Sequence, residues 1–288
     1  MTPSVSVVVP VRNGERSIDE CVRSLLALSW PADRLEVLVV DNGSSDRTAE
    51  VLQAHADRIV LLHERRRGPS AARNAGLRKA RGEIVGFTDA DCRVEPDWLT
   101  ELVPALDDPG VGIAGGVIRA RPPAAAVELF GEAIHDHQKA IELYEPPYAI
   151  TMSWASPRNV LESVGGFDER FLRCEDVDLS YRIVLAGYRL AFAPGAVVYH
   201  RNESSLPGLF REGFAHGFHS VRALKCHRDF VERFGHSRIS RRGFDRIGSR
   251  ALEWARSRDP LAACEAVFDS GKQAGKIAGS LRFGHLEL

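Results

Sequence analysis

The sequence predicts an α/β fold built on a mainly parallel sheet. Short apolar runs recur at residues 5–9, 35–40, 59–62 and 84–88. Segments with helical spacing separate these runs, and strand alternating with helix is the pattern of parallel-sheet units. Polar clusters follow the carboxyl ends of the runs: Pro10-Val11-Arg12-Asn13, Asp41, and Asp89 with Asp91. Open α/β sheets bind their ligands at those strand ends.

Each element has its own local reason. Residues 5–9 are all apolar or small and stop at Pro10, as a buried strand does. In residues 17–28, Ile18, Cys21, Val22, Leu25 and Leu26 fall on one helical stripe. The second strand runs into Asp41-Asn42-Gly43-Ser44-Ser45-Asp46, a turn that also offers caps for a helix over 47–55. Gly68-Pro69 breaks the chain before a helix at 70–80, and Pro96 opens another that reaches about residue 106. After Ala120 the pattern loosens. Residues 121–150 read as a long connection with some helix, 157–164 as a short helix, and 176–186 as a helix ended by Gly187. Residues 190–192 and 197–200 are strand-like, and the chain is helical from Leu206 onward. The expected division is a catalytic domain at 1–202 and a helical C-terminal extension at 203–288.

No run of 18 apolar residues occurs, so no membrane-spanning helix is expected. The start of the chain lacks the regions of a signal peptide, which points to the cytoplasm. Cys21, Cys92, Cys174, Cys226 and Cys264 form no CxxC pair, so reduced thiols are expected and no zinc site is read from the sequence. Charge is uneven. Residues 1–200 carry 22 Lys and Arg against 29 Asp and Glu, a net of -7, whereas residues 201–258 carry 13 against 6, a net of +7. The basic part has no nucleic-acid motif, which argues against DNA or RNA as partner. On a helical wheel Phe210, Phe214, Phe218, Val221 and Leu224 share one stripe. Such a stripe packs on protein or lies in an anionic membrane interface, here the inner face of the membrane. Gly213 and Gly217 are each expected to weaken that helix by about 1 kcal/mol relative to Ala.

The chemistry rests on polar residues at the sheet end. Asp89-Ala90-Asp91 sets two carboxylates one residue apart, able to share a hard cation that neutralises a diphosphate; alone, such a pair is as well explained by a solvated loop. Asp41 can accept from a base N–H or a ribose hydroxyl, or simply close its turn. Arg73 can meet a phosphate or a sheet-end carboxylate, or be a surface cation. Glu175-Asp176 opens a helix, as a favourable charge there or as a general base. His200 ends a strand, where an imidazole is either structural or a ligand for a metal such as Mn²⁺.

Taken in order, these segments resemble the family 2 glycosyltransferases of GT-A fold. The matching stretches are Val7-Val8-Val9-Pro10-Val11-Arg12-Asn13, Val39-Val40-Asp41-Asn42-Gly43-Ser44-Ser45-Asp46, the Gly68 to Gly76 segment and Phe87-Thr88-Asp89-Ala90-Asp91. Gly165-Gly166-Phe167-Asp168, Cys174-Glu175-Asp176-Val177-Asp178-Leu179 and Tyr199-His200 complete them. The resemblance implies an inverting transfer of sugar from a nucleotide-sugar donor, with UDP as the nucleotide, to an acceptor hydroxyl. It implies Pro10, Arg12 and Asp41 at the nucleoside, with Arg73 beside the donor. Asp89 would touch ribose or metal, and Asp91 and His200 would hold Mn²⁺ or Mg²⁺. Asp176 would be the base with Glu175 beside it, its proton affinity raised by burial and like charge. Trp154 falls where this family shapes its acceptor site, and a core aromatic is an equal reading. Asn42 stands where the family often has a second Asp, with little expected effect.

Three rivals remain. A dinucleotide oxidoreductase needs GxGxxG after the first strand, which is missing near Val9. A sugar nucleotidyltransferase carries a Gly-rich, Arg-containing loop there, where this chain has Pro10-Val11-Arg12-Asn13-Gly14. A non-catalytic nucleotide-sugar binder or scaffold is disfavoured by the joint presence of Asp89, Asp91, Asp176 and His200.

Overall fold

A computed structural model describes residues 2–122, 124–234 and 242–285. They fall into two compact units, one made of residues up to Arg119 with Asp136–His200, the other of Ala120–His135 with Arg201–Leu288.

The first unit is organised by an eight-stranded sheet. Its strands are β1 (Val5–Val11), β2 (Leu35–Asp41), β3 (Val60–His63), β4 (Ile84–Phe87), β5 (Cys92–Val94), β6 (Val111–Ala120), β7 (Trp154–Pro157) and β8 (Arg189–His200). Their spatial order is β3-β2-β1-β4-β7-β6-β8-β5. The parallel part is as expected: β1 pairs with β2 and β4, and β2 with β3, all parallel. Beyond β4 the sheet continues antiparallel, through β4 with β7, β7 with β6, and β8 with β5.

Parallel strands covered on both faces are apolar throughout. Val5, Val7 and Val9 of β1 pack with Ile18, Val22 and Leu25 of the Ile18–Leu26 helix, while Val8 packs on the other face with Ala72 and Leu77 of the Pro69–Lys79 helix. That second helix lies close to the sheet because Gly76 has no side chain; a Cβ there would stand 2.3 Å from a methyl of Val8. The same helix carries Arg73.

β6 was hidden in the sequence by its own glycines, which are depleted in strands. Gly116 is needed because a Cβ there would stand 2.3 Å from the carbonyl oxygen of Ala196. The segments 190–192 and 197–200 are one strand, β8, that runs through Pro194-Gly195.

The second unit joins the Ala126–Ile134 helix to the Leu206–Cys226, Arg228–Glu232, Arg242–Ser257 and Pro260–Phe283 helices. Phe130, Leu209, Cys264 and Phe268 form its core. The glycines expected to weaken the Leu206–Cys226 helix are where it meets the Pro260–Phe283 helix. A Cβ on Gly213 or Gly217 would lie 2.2 or 2.0 Å from the carbonyl oxygens of Phe268 and Lys272. Gly271 and Gly275 lie against the carbonyls of Phe210 and Phe214 in the same way, at 2.2 and 2.0 Å. The phenylalanine stripe is therefore split: Val221 is buried, but Phe210 and Phe214 remain more than a third exposed. Residues 235–241 of the basic part lie outside the described residues. No helix among the described residues is long and apolar enough to cross a membrane.

Candidate active site

The loops after β1 and β2 are hydrogen-bonded into one surface. Asn13 adopts the left-handed conformation (φ 55°) that its short polar side chain tolerates. Its backbone N–H donates to Ser44 Oγ (2.9 Å), and its Oδ1 accepts from the backbone N–H of Ser45 (2.8 Å). Asp41, at the end of β2, is buried and accepts through Oδ1 from the N–H (3.0 Å) and hydroxyl (2.6 Å) of Ser44. Its Oδ2 lies 3.6 Å from His63 Nδ1. Pro10 is half-buried and Arg12 exposed at the end of β1.

Asn42 does more than the sequence suggested. Its amide nitrogen donates to the carbonyls of Glu64 (2.9 Å) and Arg66 (2.7 Å), while its Oδ1 accepts from the N–H of Gly68 (2.8 Å). A carboxylate accepts only, so the Asp of the wider family would lose both donated bonds here. The spacing signalled a turn but not a clamp.

Arg73 is the centre of the site. It is 3% exposed and gives one nitrogen to Asp89 Oδ1 at 2.7 Å and another to Glu175 Oε1 at 2.5 Å. Its guanidinium also lies over the ring of Phe167, 5.7 Å from the centroid. Asn74, one residue on, fixes that ring's backbone, donating to the Phe167 carbonyl (2.8 Å) and accepting from its N–H (2.9 Å). The Gly165 to Asp168 stretch thus supports Arg73. A buried cation needs such partners, and here they are two carboxylates from separate segments.

Cys174 brings the second carboxylate in. It sits in the left-handed region (φ 61°, ψ 21°) directly before the Glu175–Leu185 helix, a conformation that costs a non-glycine residue about 1–2 kcal/mol. Such outliers persist where the surroundings over-determine them, and they cluster at functional sites. Asp176 follows, half-buried, with Oδ1 accepting from the N–H of Val177 (2.9 Å). Burial first, and the adjacent charge of Glu175 second, push its carboxyl up to about 7; Arg73 pulls the other way.

Asp91 and His200 meet through sheet register. β5 pairs with β8 so that Cys92 faces His200, which leaves Asp91 Oδ2 3.5 Å from His200 Nε2. Burial and the nearby carboxylates of Asp91 and Asp89 push the thiols of Cys21 and Cys92 up.

The arrangement therefore gathers Arg73 and the Glu175-Asp176 pair, from two helices, with Asp89 after β4 in one network, and sets Asp91 beside His200 at the end of β8. Residues 6–157 match glycosyl transferase family 2. The chain belongs to this family.

The family match stops short of Glu175, Asp176 and His200, which fold and relatives reach. The glycosyltransferase AglE of Haloferax volcanii is 31% identical over 204 residues, covering 69% of this chain and 67% of that one. The pre-mycofactocin glycosyltransferase of Mycobacterium tuberculosis is 33% identical over 215 residues, covering 70% of this chain and 43% of that one. The chain thus spans about two thirds of the first relative and under half of the second. Among solved structures, the mannosyltransferase PcManGT of Pyrobaculum calidifontis, in complex with GDP-Man and Mn²⁺, superposes with a TM-score of 0.64 at 25% identity, covering 99% of this chain and 77% of that chain. TarS of S. aureus, residues 1–349 with UDP-GlcNAc, matches in fold at a TM-score of 0.58 and 18% identity, covering 98% and 92%. The GT-A-type fold of these glycosyltransferases is the one described above.

Trp154 is buried. It lies opposite Phe87 in the β4–β7 register, is 1% exposed, and packs on Phe87 (4.8 Å between centroids) and Phe167 (6.2 Å). Phe167 links it to Arg73, whose guanidinium lies over the same ring. Sequence reasoning also passed over His137, which is buried with Nδ1 2.7 Å from the Gly116 carbonyl and Nε2 accepting from the N–H of Ile150 (2.8 Å).

Proposed function

We propose that the chain is an inverting, divalent-metal-dependent glycosyltransferase that moves a sugar from a UDP-sugar to an acceptor hydroxyl. The observation that carries this reading is the Arg73 bridge. It draws the Asp89 end of β4 and the Glu175-Asp176 pair together, so that a donor-side carboxylate and a base stand in one network. In a single displacement the acceptor oxygen attacks the anomeric carbon, its proton passes to Asp176, and the bond to the diphosphate breaks. A base poised near neutrality suits that transfer, and Asp176 is pushed up to about 7 by its surroundings. A mere binder has no use for such a carboxyl.

The donor set of Asp91 with the His200 imidazole, with Asp89 two residues away, fits Mn²⁺ or Mg²⁺. A divalent ion held there by Asp91 and His200 would supply positive charge to neutralise the diphosphate leaving group. Asp41 supports uridine: its Oδ1 is engaged by Ser44, and its Oδ2, 3.6 Å from His63 Nδ1, is the oxygen that would accept the single imide N–H of uracil. The GDP-Man of the mannosyltransferase makes guanosine the nucleotide to test against.

The test uses two variants. Asp91→Ala is expected to abolish the Mn²⁺-dependent thermal stabilisation by UDP, because a ligand bound only by the native state must raise stability. Asp176→Asn is expected to keep that stabilisation but lose about 10²–10⁴ in kcat. In the wild type kcat/KM should fall below about pH 7 as Asp176 takes up its proton. Near-normal transfer by Asp176→Asn, or unchanged Mn²⁺-dependent binding in Asp91→Ala, contradicts the assignment.

The reading extends to the helical unit, which docks on an anionic membrane surface or lipid-linked acceptor. The half-exposed Phe210 and Phe214 and the +7 of residues 201–258 favour it. Cosedimentation with anionic but not neutral vesicles is expected; equal recovery with both, or with neither, removes this extension.

A further inference from the structure

Two imidazoles and a carboxylate converge within the helical unit. His135 caps the end of the Ala126–Ile134 helix, its backbone N–H held by the carbonyls of Gly131 and Glu132 at 3.2 Å. Glu212 and His216 stand four residues apart on the Leu206–Cys226 helix, which puts them on one face. His135 Nε2 lies 3.7 Å and His216 Nε2 3.9 Å from the same oxygen, Glu212 Oε1. These separations exceed a hydrogen bond. One ligand atom from each of the three residues lies within 4.8 Å of the others.

That is the spacing of an open three-ligand metal shell. Tetrahedral zinc with bonds of about 2.0–2.1 Å needs its donors about 3.4 Å apart. Two of the separations here require only a few tenths of an ångström of closure. The environment suits an ion that is bound rather than solvated. His135 is 5% exposed, Glu212 sits at a side-chain exposure of 14%, and the His216 ring rests against Phe268 at 5.9 Å.

We propose that His135, Glu212 and His216 form a second metal site, of the two-histidine, one-carboxylate type, that takes Zn²⁺ with water in the fourth position. The chemistry of the donors separates it from the donor-sugar site. Two nitrogens and one oxygen favour Zn²⁺ or Co²⁺, whereas Mg²⁺ prefers an all-oxygen shell and keeps its waters. The ion ties the Ala120–His135 segment to the Leu206–Cys226 helix, two pieces of the unit that lie far apart in the chain. The cysteine pattern gives no hint of it, because its first ligand stands 77 residues before the second.

The full chain, stripped with a chelator and held in excess Mg²⁺, is titrated with Co²⁺ and followed by visible absorption. Zn²⁺-dependent melting is measured in parallel. The wild type and Asp91→Ala are both expected to develop the Co²⁺ band and to gain Tm with Zn²⁺. His216→Ala, at a side chain 39% exposed, is expected to fold and to lose more than about 100-fold in Co²⁺ affinity, beyond the roughly 10–100-fold that an outer-shell partner costs. Glu212→Gln should weaken binding likewise. A wild type that gives no band, or a His216→Ala protein that binds Co²⁺ as tightly as the wild type, overturns the site. Asp91→Ala keeps this result separate from the fate of the donor-site reading.

Discussion

The two halves of the sheet are built by different rules. The parallel half, β3-β2-β1-β4, is made of mostly apolar strands, with β1, β2 and β4 largely buried and β3 partly exposed at the edge, and with polar loops zipped across its carboxyl end. The antiparallel half, β7-β6-β8-β5, is made of short or glycine-bearing strands whose register does the positioning. The first half supplies a surface, with Asp41 and Asn42 in its loops. The second supplies an alignment, bringing His200 to Asp91 and a buried tryptophan opposite Phe87. Loop hydrogen bonds tune the first, and backbone spacing fixes the second.

Arg73 joins the halves, so its loss should have the largest effect. Arg73→Met keeps much of the side chain's bulk but leaves Asp89 and Glu175 without their buried cation. A loss of about 3–5 kcal/mol is expected in denaturant unfolding, as for other broken buried pairs. Because Arg73 holds the Asp176 carboxyl down, its removal should also move the acid limb of the rate profile above pH 7. A stable variant with an unmoved profile would show that the halves are joined elsewhere.

Acid probes His137, which packs against the antiparallel half. His137 is neutral by construction: one ring nitrogen donates to the Gly116 carbonyl of β6 and the other accepts from Ile150. Burial lowers it from 6.5 to about 4. The unfolded chain therefore binds the extra proton first, and stability is lost as pH falls from about 6.5 towards 4. The His137 contribution to that loss is about 2–4 kcal/mol, and the Asp176 carboxyl, which takes up its proton first in the folded state, opposes it over the same range. His137→Asn should flatten that slope; an equally steep one assigns the acid lability to other groups.

How much of this was readable follows the same division. The strands of the parallel half were legible because burial, most complete in β1, β2 and β4, writes a continuous apolar run. β6 was not, because Gly112, Gly115 and Gly116 interrupt its pattern where neighbours press against the backbone. β5 and β7 are too short, at three and four residues, to show a period. Of the site, the carboxylates and Arg73 stood out by position, whereas the partners of Arg73 depend on contacts 16 and 102 residues away. Asn42 looked like a tolerated exchange because its type says nothing about three backbone groups waiting on the next loop.

Asn42→Asp sharpens the picture of the parallel half and should have the smallest effect. Two donated bonds to the Glu64 and Arg66 carbonyls are lost, at about 1–3 kcal/mol for buried groups left unsatisfied. The change should appear as lower Tm with kcat retained. A collapse of kcat with unchanged Tm would give Asn42 a direct part in the chemistry.

The meshed glycines of the helical unit carry a different kind of information. Gly213 and Gly217 receive the carbonyls of one helix, and Gly271 and Gly275 receive those of the other. A slide of either helix by one residue would drive a side chain into a carbonyl. The parallel register of the two helices is therefore encoded by empty volume, with neither charge nor side-chain chemistry to specify it. Two helices related in this way behave like a key and its wards: many outward-facing residues can drift over evolutionary time, while the few positions that must stay empty cannot.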